Sequence, residues 1–208
     1  MTRDETFAAY NKCQTKERLI CGGLRSGKTY LAAHTILQRI AGANPIVVAI
    51  VATNERAIRY VYQQLKVYGL HKILHEAPDT TLVEITWRDR IKEMPEFIQL
   101  RNGTEIHFFT SSETWPFDVD VLWIDNEVAN SGLGLLAEWR STIKEYGLFI
   151  WSQWDWTGSQ ESQELWLSHP ESQFVLDTQD NPGLPPERVR DLIAVWDDKT
   201  ERLTGKHP

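Results

Sequence analysis

Eight residues, Gly22 to Thr29, read GGLRSGKT and fit the pattern G-x-x-x-x-G-K-[ST], a loop whose backbone amides wrap the phosphates of a nucleotide. The setting suits the pattern. Arg18, Leu19, Ile20 and Cys21 form a strand-like run leading in, and Lys28 to Ile40 carries Ala32, Ile36, Leu37 and Ile40 at the spacing of one helix face. Strand, glycine loop and helix in that order constrain the chain to an α/β fold with the loop at a strand's carboxyl end. Gly22, Gly23 and Gly27 let the backbone bend round phosphate oxygens, and the helix start aims its amides and dipole at them. Lys28 is then the contact to the β- and γ-phosphates, and Thr29 a hydroxyl ligand for Mg²⁺. With Leu24, Arg25, Ser26 and Tyr30, these residues make up the candidate nucleotide-binding segment.

The alternation continues downstream. Ile46 to Ala52 is an unbroken apolar run of the buried parallel-strand type, and Asn54 caps a helix that turns Ile58, Val61 and Leu65 inward and ends at Gly69. Shorter strands follow at Thr81 to Trp87, Phe97 to Leu100 and Thr104 to Thr110, with the turn signal Asn102-Gly103 between the last two, and these read as a β-hairpin insertion. Val119 to Ile124 is a further strand ending in Asp125, and the helix after it puts Leu136, Trp139 and Ile143 on one side. Leu148 to Trp151 and Phe174 to Leu176 are strands, and a last helix after Pro185-Pro186 groups Val189, Leu192, Ile193 and Trp196. The expected fold is a mostly parallel sheet with helices on both faces.

At 208 residues, 41% hydrophobic and 25% charged, the chain is expected to be one domain, 1–208, with a polar tail over 198–208. No apolar run reaches the roughly 18 residues that span a bilayer, and the first residues lack the order of a signal peptide, so a cytoplasmic location without membrane partners is expected. Cys13 and Cys21 are too few for a disulfide framework. A net charge of −7 argues against a free-standing nucleic-acid binder, though not against local basic patches in an assembled ring. Of nine tryptophans, eight follow residue 100, and core or interface packing suits them better than base stacking.

A phosphate loop needs a carboxylate on a neighbouring strand to hold Mg²⁺, and Asp125, behind the apolar Val121 to Ile124, is so placed. Glu127 is the candidate base for an attacking water. Ser152 and Gln153, at the tip of another strand, are positioned to sense the γ-phosphate. Two arginines are candidates for stabilising the charge of a leaving phosphoryl group, in cis or from a neighbouring subunit: Arg25 in the loop, acting in its own site or across a subunit boundary, and Arg140 on the helix after Asp125, in a partly buried or interfacial position. Phe7, Tyr10 and Gln14 fit either an adenine platform or plain N-terminal packing.

Three segments in order, KERLICGGLRSGKT (16–29), VLWIDNEV (121–128) and TQDNPGLPPERVRDL (178–192), resemble the ATPase half of the tailed-bacteriophage terminase large subunits over nearly the whole chain. The resemblance implies ATP and Mg²⁺ as cofactors and an ATP-driven motor that packages viral double-stranded DNA into a preformed capsid. Its implied partners are a portal ring, a small terminase subunit and further copies of itself in a ring that forms on the portal, the isolated domain being monomeric. It carries the coupling motif onto Ser152-Gln153 and the loop arginine onto Arg25. Two departures stand out. Asn126 occupies the place where the family commonly has its catalytic glutamate, so that either Glu127 serves one residue further on or the domain hydrolyses ATP poorly; an amide cannot take a proton from water. The chain also stops where such proteins enter a nuclease domain, and no DNA cleavage is expected of it. A nucleotide-binding assembly module with little hydrolysis, or a small-molecule kinase, are the competing functions; the kinase would need an acceptor pocket that has no signature here.

Overall fold

The computed structural model describes residues 3–22, 26–42, 44–76, 80–125, 130–153, 160–176, 185 and 187. Eight strands form one sheet: β1 Glu17–Gly22, β2 Val47–Ala52, β3 Leu82–Trp87, β4 Pro95–Leu100, β5 Glu105–Thr110, β6 Val119–Asp125, β7 Ile143–Gln153 and β8 Gln173–Leu176. Their spatial order is β3-β4-β5-β2-β6-β7-β1-β8. From β5 to β8 all neighbours run parallel, while β3 and β4 are antiparallel additions at one edge. The expected hairpin is therefore part of the main sheet, because β5 pairs with β2 through six residues from Val47–Glu105 to Ala52–Thr110.

Among the described residues six α-helices connect and cover these strands: α1 Arg3–Lys12, α2 Lys28–Ile40, α3 Glu55–Leu65, α4 His71–Glu76, α5 Asn130–Ser141 and α6 Gln160–Ser168. One core gathers Leu31, Ile36 and Ile40 of α2, Ile58, Val61 and Leu65 of α3 and Tyr10 of α1 against Ile20, Val48, Ile50, Trp123 and Ile150. The opposite face packs Leu136 and Trp139 of α5 and Leu165 of α6 on Leu19, Cys21, Val51, Ile124, Phe149 and Trp151. Alternate residues of each central strand thus feed different cores, which is why these strands read as continuous apolar runs. Trp115, Trp123, Trp139 and Trp151 are all buried, as packing residues should be.

One boundary and two helices differ from the sequence reading. The helix after β2 ends at Gly69 as expected, where a φ of 131° breaks the helical backbone within the π-helical turn Lys66–Leu70, and the chain continues as α4. Ile143 lies in β7 rather than on α5, since Thr142 breaks the helix and its carbonyl accepts from Val119 at the start of β6. α1 and α6 carry no clear 3.6-residue apolar stripe, and only tertiary packing reveals them. Of the helix expected after Pro185-Pro186, Glu187 is described, in helical conformation, and Val189, Leu192, Ile193 and Trp196 lie outside the described residues. No helix among the described residues is long and apolar enough to cross a membrane.

The start of α3 depends on one side chain: Asn54 accepts a hydrogen bond from the Ala57 amide at 3.0 Å. Asn54→Ala should cost about 1 kcal/mol through the lost cap, lowering the melting temperature by roughly 2–4 °C in a chain of this size. Calorimetry checks this, and an unchanged midpoint would mean that packing alone fixes the helix start.

Candidate nucleotide site

The site lies at the carboxyl edge of the parallel strands. β1 is buried from Leu19 to Gly22 and delivers the loop. At Gly22 a Cβ would stand 2.4 Å from Ser26 Oγ and 2.8 Å from the Leu176 carbonyl, so the loop and β8 leave no room for a side chain. Gly27, at φ 105°, takes the left-handed conformation that starts α2. The loop therefore closes tightly enough for the Lys28 ammonium to donate to the Gly22 carbonyl at 2.7 Å, in a position where the lysine is 8% exposed.

β7 stands between β1 and β6, so the Asp125 strand is the second neighbour of the loop strand. The tip of β7 fills the interval. Ser152 is in register with Asp125 and donates to its Oδ1 at 3.0 Å, and Thr29, in the first turn of α2, donates to the same oxygen at 3.4 Å. Gln153 pairs in register with Cys21 of β1. Its Nε2 and the Ser26 Oγ are buried polar atoms with no hydrogen-bond partner among the described residues.

Burial opposes both charges. It pushes the Asp125 carboxyl up to about 6, against the hydrogen bond from Ser152, the charge of Lys28 and the hydrogen bond from Thr29. It lowers Lys28 to about 8, partly offset by the neighbouring Asp125 carboxylate. Each charge helps the other, and desolvation outweighs that help on both sides. Such a site suits a ligand that brings both signs of charge. Among the described residues no group of three or more His, Cys, Asp or Glu side chains could hold a metal by itself. One carboxylate and one hydroxyl fit Mg²⁺, which keeps most of its shell as water and substrate phosphate oxygens.

No protein-family model and no curated protein sequence matches the chain. Solved structures do. The large terminase ATPase domain of Thermus phage P74-26, in an arginine-to-alanine variant, superposes with a TM-score of 0.71 at 14% identity over 96% of this chain and 92% of that one. The large terminase of a thermophilic bacteriophage superposes at 0.67 and 11% identity, over 93% of this chain and 49% of that one, and the HK97 large terminase at 0.56 and 12%, over 97% and 43%. This is the large-terminase ATPase fold. The chain spans about half the length of the complete large terminases it matches.

Within this terminase fold the expected site residues divide. Gly22, Ser26, Gly27, Lys28, Thr29, Asp125, Ser152 and Gln153 converge at the carboxyl edge, whereas Gly23, Leu24, Arg25, Asn126 and Glu127 lie outside the described residues. Tyr30 follows Thr29 into α2 and joins an aromatic layer, stacked on Phe7 with ring centroids 5.7 Å apart and in edge contact with Tyr68 at 5.0 Å. Tyr68 has no motif to mark it in the sequence.

Two expected residues, Arg140 and Gln14, lie away from the loop of their own chain. Arg140 pairs with Glu17, the first residue of β1, and its guanidinium is 5.3 Å from the Phe149 ring centroid. Five residues of strand, roughly 17 Å at about 3.3 Å each, separate Glu17 from Gly22. Arg140 therefore sits at the opposite edge of the sheet, beyond reach of phosphates held by its own loop, because α5 runs back towards the amino end of β7. Gln14, just before β1, lies at that same edge, where it is exposed and donates to the Lys12 carbonyl at 3.5 Å. Tyr10 is fully buried, with Thr35 donating to its hydroxyl at 3.2 Å and Arg18 over its ring at 4.7 Å. Neither residue belongs to an open adenine platform.

The raised value at Asp125 has a signed consequence for the ligand-free protein. The folded state holds this proton more tightly than the unfolded chain, whose value is 3.8, so the stabilisation is complete below about pH 4 and is lost as pH rises through 6. Asp125→Asn should match the wild type near pH 4 and exceed it at pH 7 by up to about 3 kcal/mol, since every tenfold change in proton affinity is worth about 1.4 kcal/mol. Paired thermal melts across pH 4–7 in the absence of nucleotide and Mg²⁺ test this. A gap that does not widen with pH would mean the carboxylate is solvated.

Proposed function

We propose that this chain is the ATP-hydrolysing motor domain of a phage terminase, powering the movement of double-stranded DNA into a preformed capsid. The observation that carries the reading is the convergence of Lys28, Thr29, Asp125 and Ser152 on one sheet edge within a large-terminase fold. Related large terminases have been solved with ADP and with ATP-γ-S, which supports a nucleotide as the ligand.

In this reading the loop amides and Lys28 bind the β- and γ-phosphates, with Gly23, Leu24 and Ser26 shaping the cradle. Thr29 and Asp125 would hold Mg²⁺, which when bound neutralises charge on the phosphate oxygens. Glu127 takes a proton from the attacking water, and Gln153 with Ser152 senses whether the γ-phosphate is present. The charge of the leaving phosphoryl group is met by Arg25, from the same loop or across a subunit boundary. The Gln153 amide and Ser26 hydroxyl, without partners among the described residues, fit this assignment, since a phosphate ligand would give both a partner. Residues 1–208 then form one ATPase domain that acts in the host cytoplasm, in a ring at the portal with a small terminase subunit. Asn126 favours a second reading, an assembly module that binds nucleotide and hydrolyses little.

Turnover separates the two. Lys28→Ala should abolish nucleotide binding, while Glu127→Gln should retain binding and lower the rate by about 10² to 10⁴. The assay is steady-state ATP hydrolysis at high protein concentration with DNA, so that subunit contacts can form. Undiminished turnover in Glu127→Gln assigns the base elsewhere, and wild-type binding without turnover leaves the assembly module.

A further inference from the structure

A third buried group stands behind the Asp125–Ser152 contact. Trp123 and Asp125 project to the same face of β6, two residues apart, and their register partners on β7 are Ile150 and Ser152. The indole reaches diagonally across that pair, so that Trp123 Nε1 donates to Ser152 Oγ at 3.2 Å. Ser152 is completely buried and so is Trp123.

The donor inventory fixes what this contact does. An indole N–H can only donate, whereas a hydroxyl has one hydrogen to give and two lone pairs. With one lone pair occupied by Trp123, the Ser152 hydrogen is directed to the other side of the oxygen, where Asp125 Oδ1 lies at 3.0 Å and the Ile124 carbonyl at 3.4 Å. The nearer acceptor is the carboxylate, which can only accept when ionised. The direction of the chain is thus Trp123 to Ser152 to Asp125, and its origin lies in the packed interior beneath the site.

We propose that Trp123 is a positioning residue for metal binding: its indole N–H holds the Ser152 hydroxyl as a donor to Asp125 and thereby fixes the orientation of the carboxylate that takes Mg²⁺. The inference rests on the nucleotide and Mg²⁺ assignment above and extends it by one shell. Groups at this remove orient a ligand without touching the ion, and their loss is expressed in metal affinity. Trp123 touches neither nucleotide nor metal, so the affinity for metal-free nucleotide should be untouched by its replacement.

The test is a Mg²⁺ titration of the binding of a fluorescent, slowly hydrolysed ATP analogue, run beside ATP turnover. In Trp123→Phe, the Mg²⁺ concentration at half-saturation should rise by about tenfold, the lower end of what loss of an orienting group costs, with metal-free nucleotide affinity unchanged. Replacing Trp123 by β-(3-benzothienyl)alanine keeps the bicyclic volume and removes the N–H, so it should give the same shift even if the smaller phenylalanine unsettles the fold. Ser152→Ala should reproduce the shift, and adding it to the Trp123 replacement should change little more, because both break one chain. An unchanged half-saturation point in the benzothienyl variant, or losses that multiply when combined with Ser152→Ala, would overturn the proposal and leave Trp123 as core filling. A wild type that binds Mg²⁺-nucleotide but never hydrolyses it would overturn the motor reading, and the shift would still support this inference. A wild type with no Mg²⁺-dependent nucleotide binding would overturn both.

Discussion

Two opposite charges buried at one edge of a sheet set the terms for the rest of this molecule. Lys28 and Asp125 are drawn out of water by their surroundings, and each is moved towards its neutral form by that burial. Holding them there requires a rigid frame. Gly22 packs against the Leu176 carbonyl, Gly27 turns the chain into α2 at Lys28, and β7 lies between β6, which ends in Asp125, and β1, which leads into the loop, with Ser152 at its tip. The apolar runs of β1, β2, β6 and β7 supply both the frame and the desolvation. The same valines, isoleucines and tryptophans that stabilise the sheet therefore make its carboxyl edge costly to keep charged.

Much of this frame is legible in local sequence. VAIVA (48–52) and VLWI (121–124) are buried on both faces and show it by unbroken hydrophobicity, and Asn54 and Asn102-Gly103 mark a helix start and a hairpin by their own backbone chemistry. What local sequence hides has a common cause. α1 presents RDETFAAYNK, in which Phe7 and Tyr10 are the only large apolar side chains, and it is a helix because Tyr10 enters the core and Thr6 bonds the Val175 carbonyl. The interposition of β7 between β6 and β1 is a fact of strand order, on which no residue spacing bears.

The site shows the same division. The motif places Lys28 and Thr29 at the start of a helix, because the loop and the helix are contiguous in the chain. Asp125 is recognisable as a strand-end carboxylate, but its contact with Ser152 joins residues 27 apart and depends on register. Arg140 lies away from the loop of its own chain for a geometrical reason. A residue near the end of a crossover helix is close in sequence to the strand that carries Asp125, yet the helix has by then carried it to the far edge of the sheet. Its neighbour Trp139 is buried in the core beneath the sheet, donating to the Glu113 carbonyl at 2.9 Å.

The two edges of the sheet are electrostatically unlike, and the contrast locates where ligand binding can act on the fold. At the amino edge, Glu17 is met by Arg140 and by His169 at 3.1 Å, and Asp120 by Lys144 at 2.8 Å and by the Val47 amide at 2.8 Å. Those charges are matched within the chain. At the carboxyl edge, burial disfavours both charges, and the Ser26 hydroxyl and Gln153 amide stand without partners among the described residues. A polyphosphate with a divalent cation would reverse each of these effects at once, favouring the ammonium, the carboxylate and both polar groups. Because such a ligand binds the folded state and not the unfolded chain, the free energy it contributes is delivered to this one edge. β7 is the element through which that change would spread, since its tip contacts Asp125 through Ser152 and pairs with β1 through Gln153.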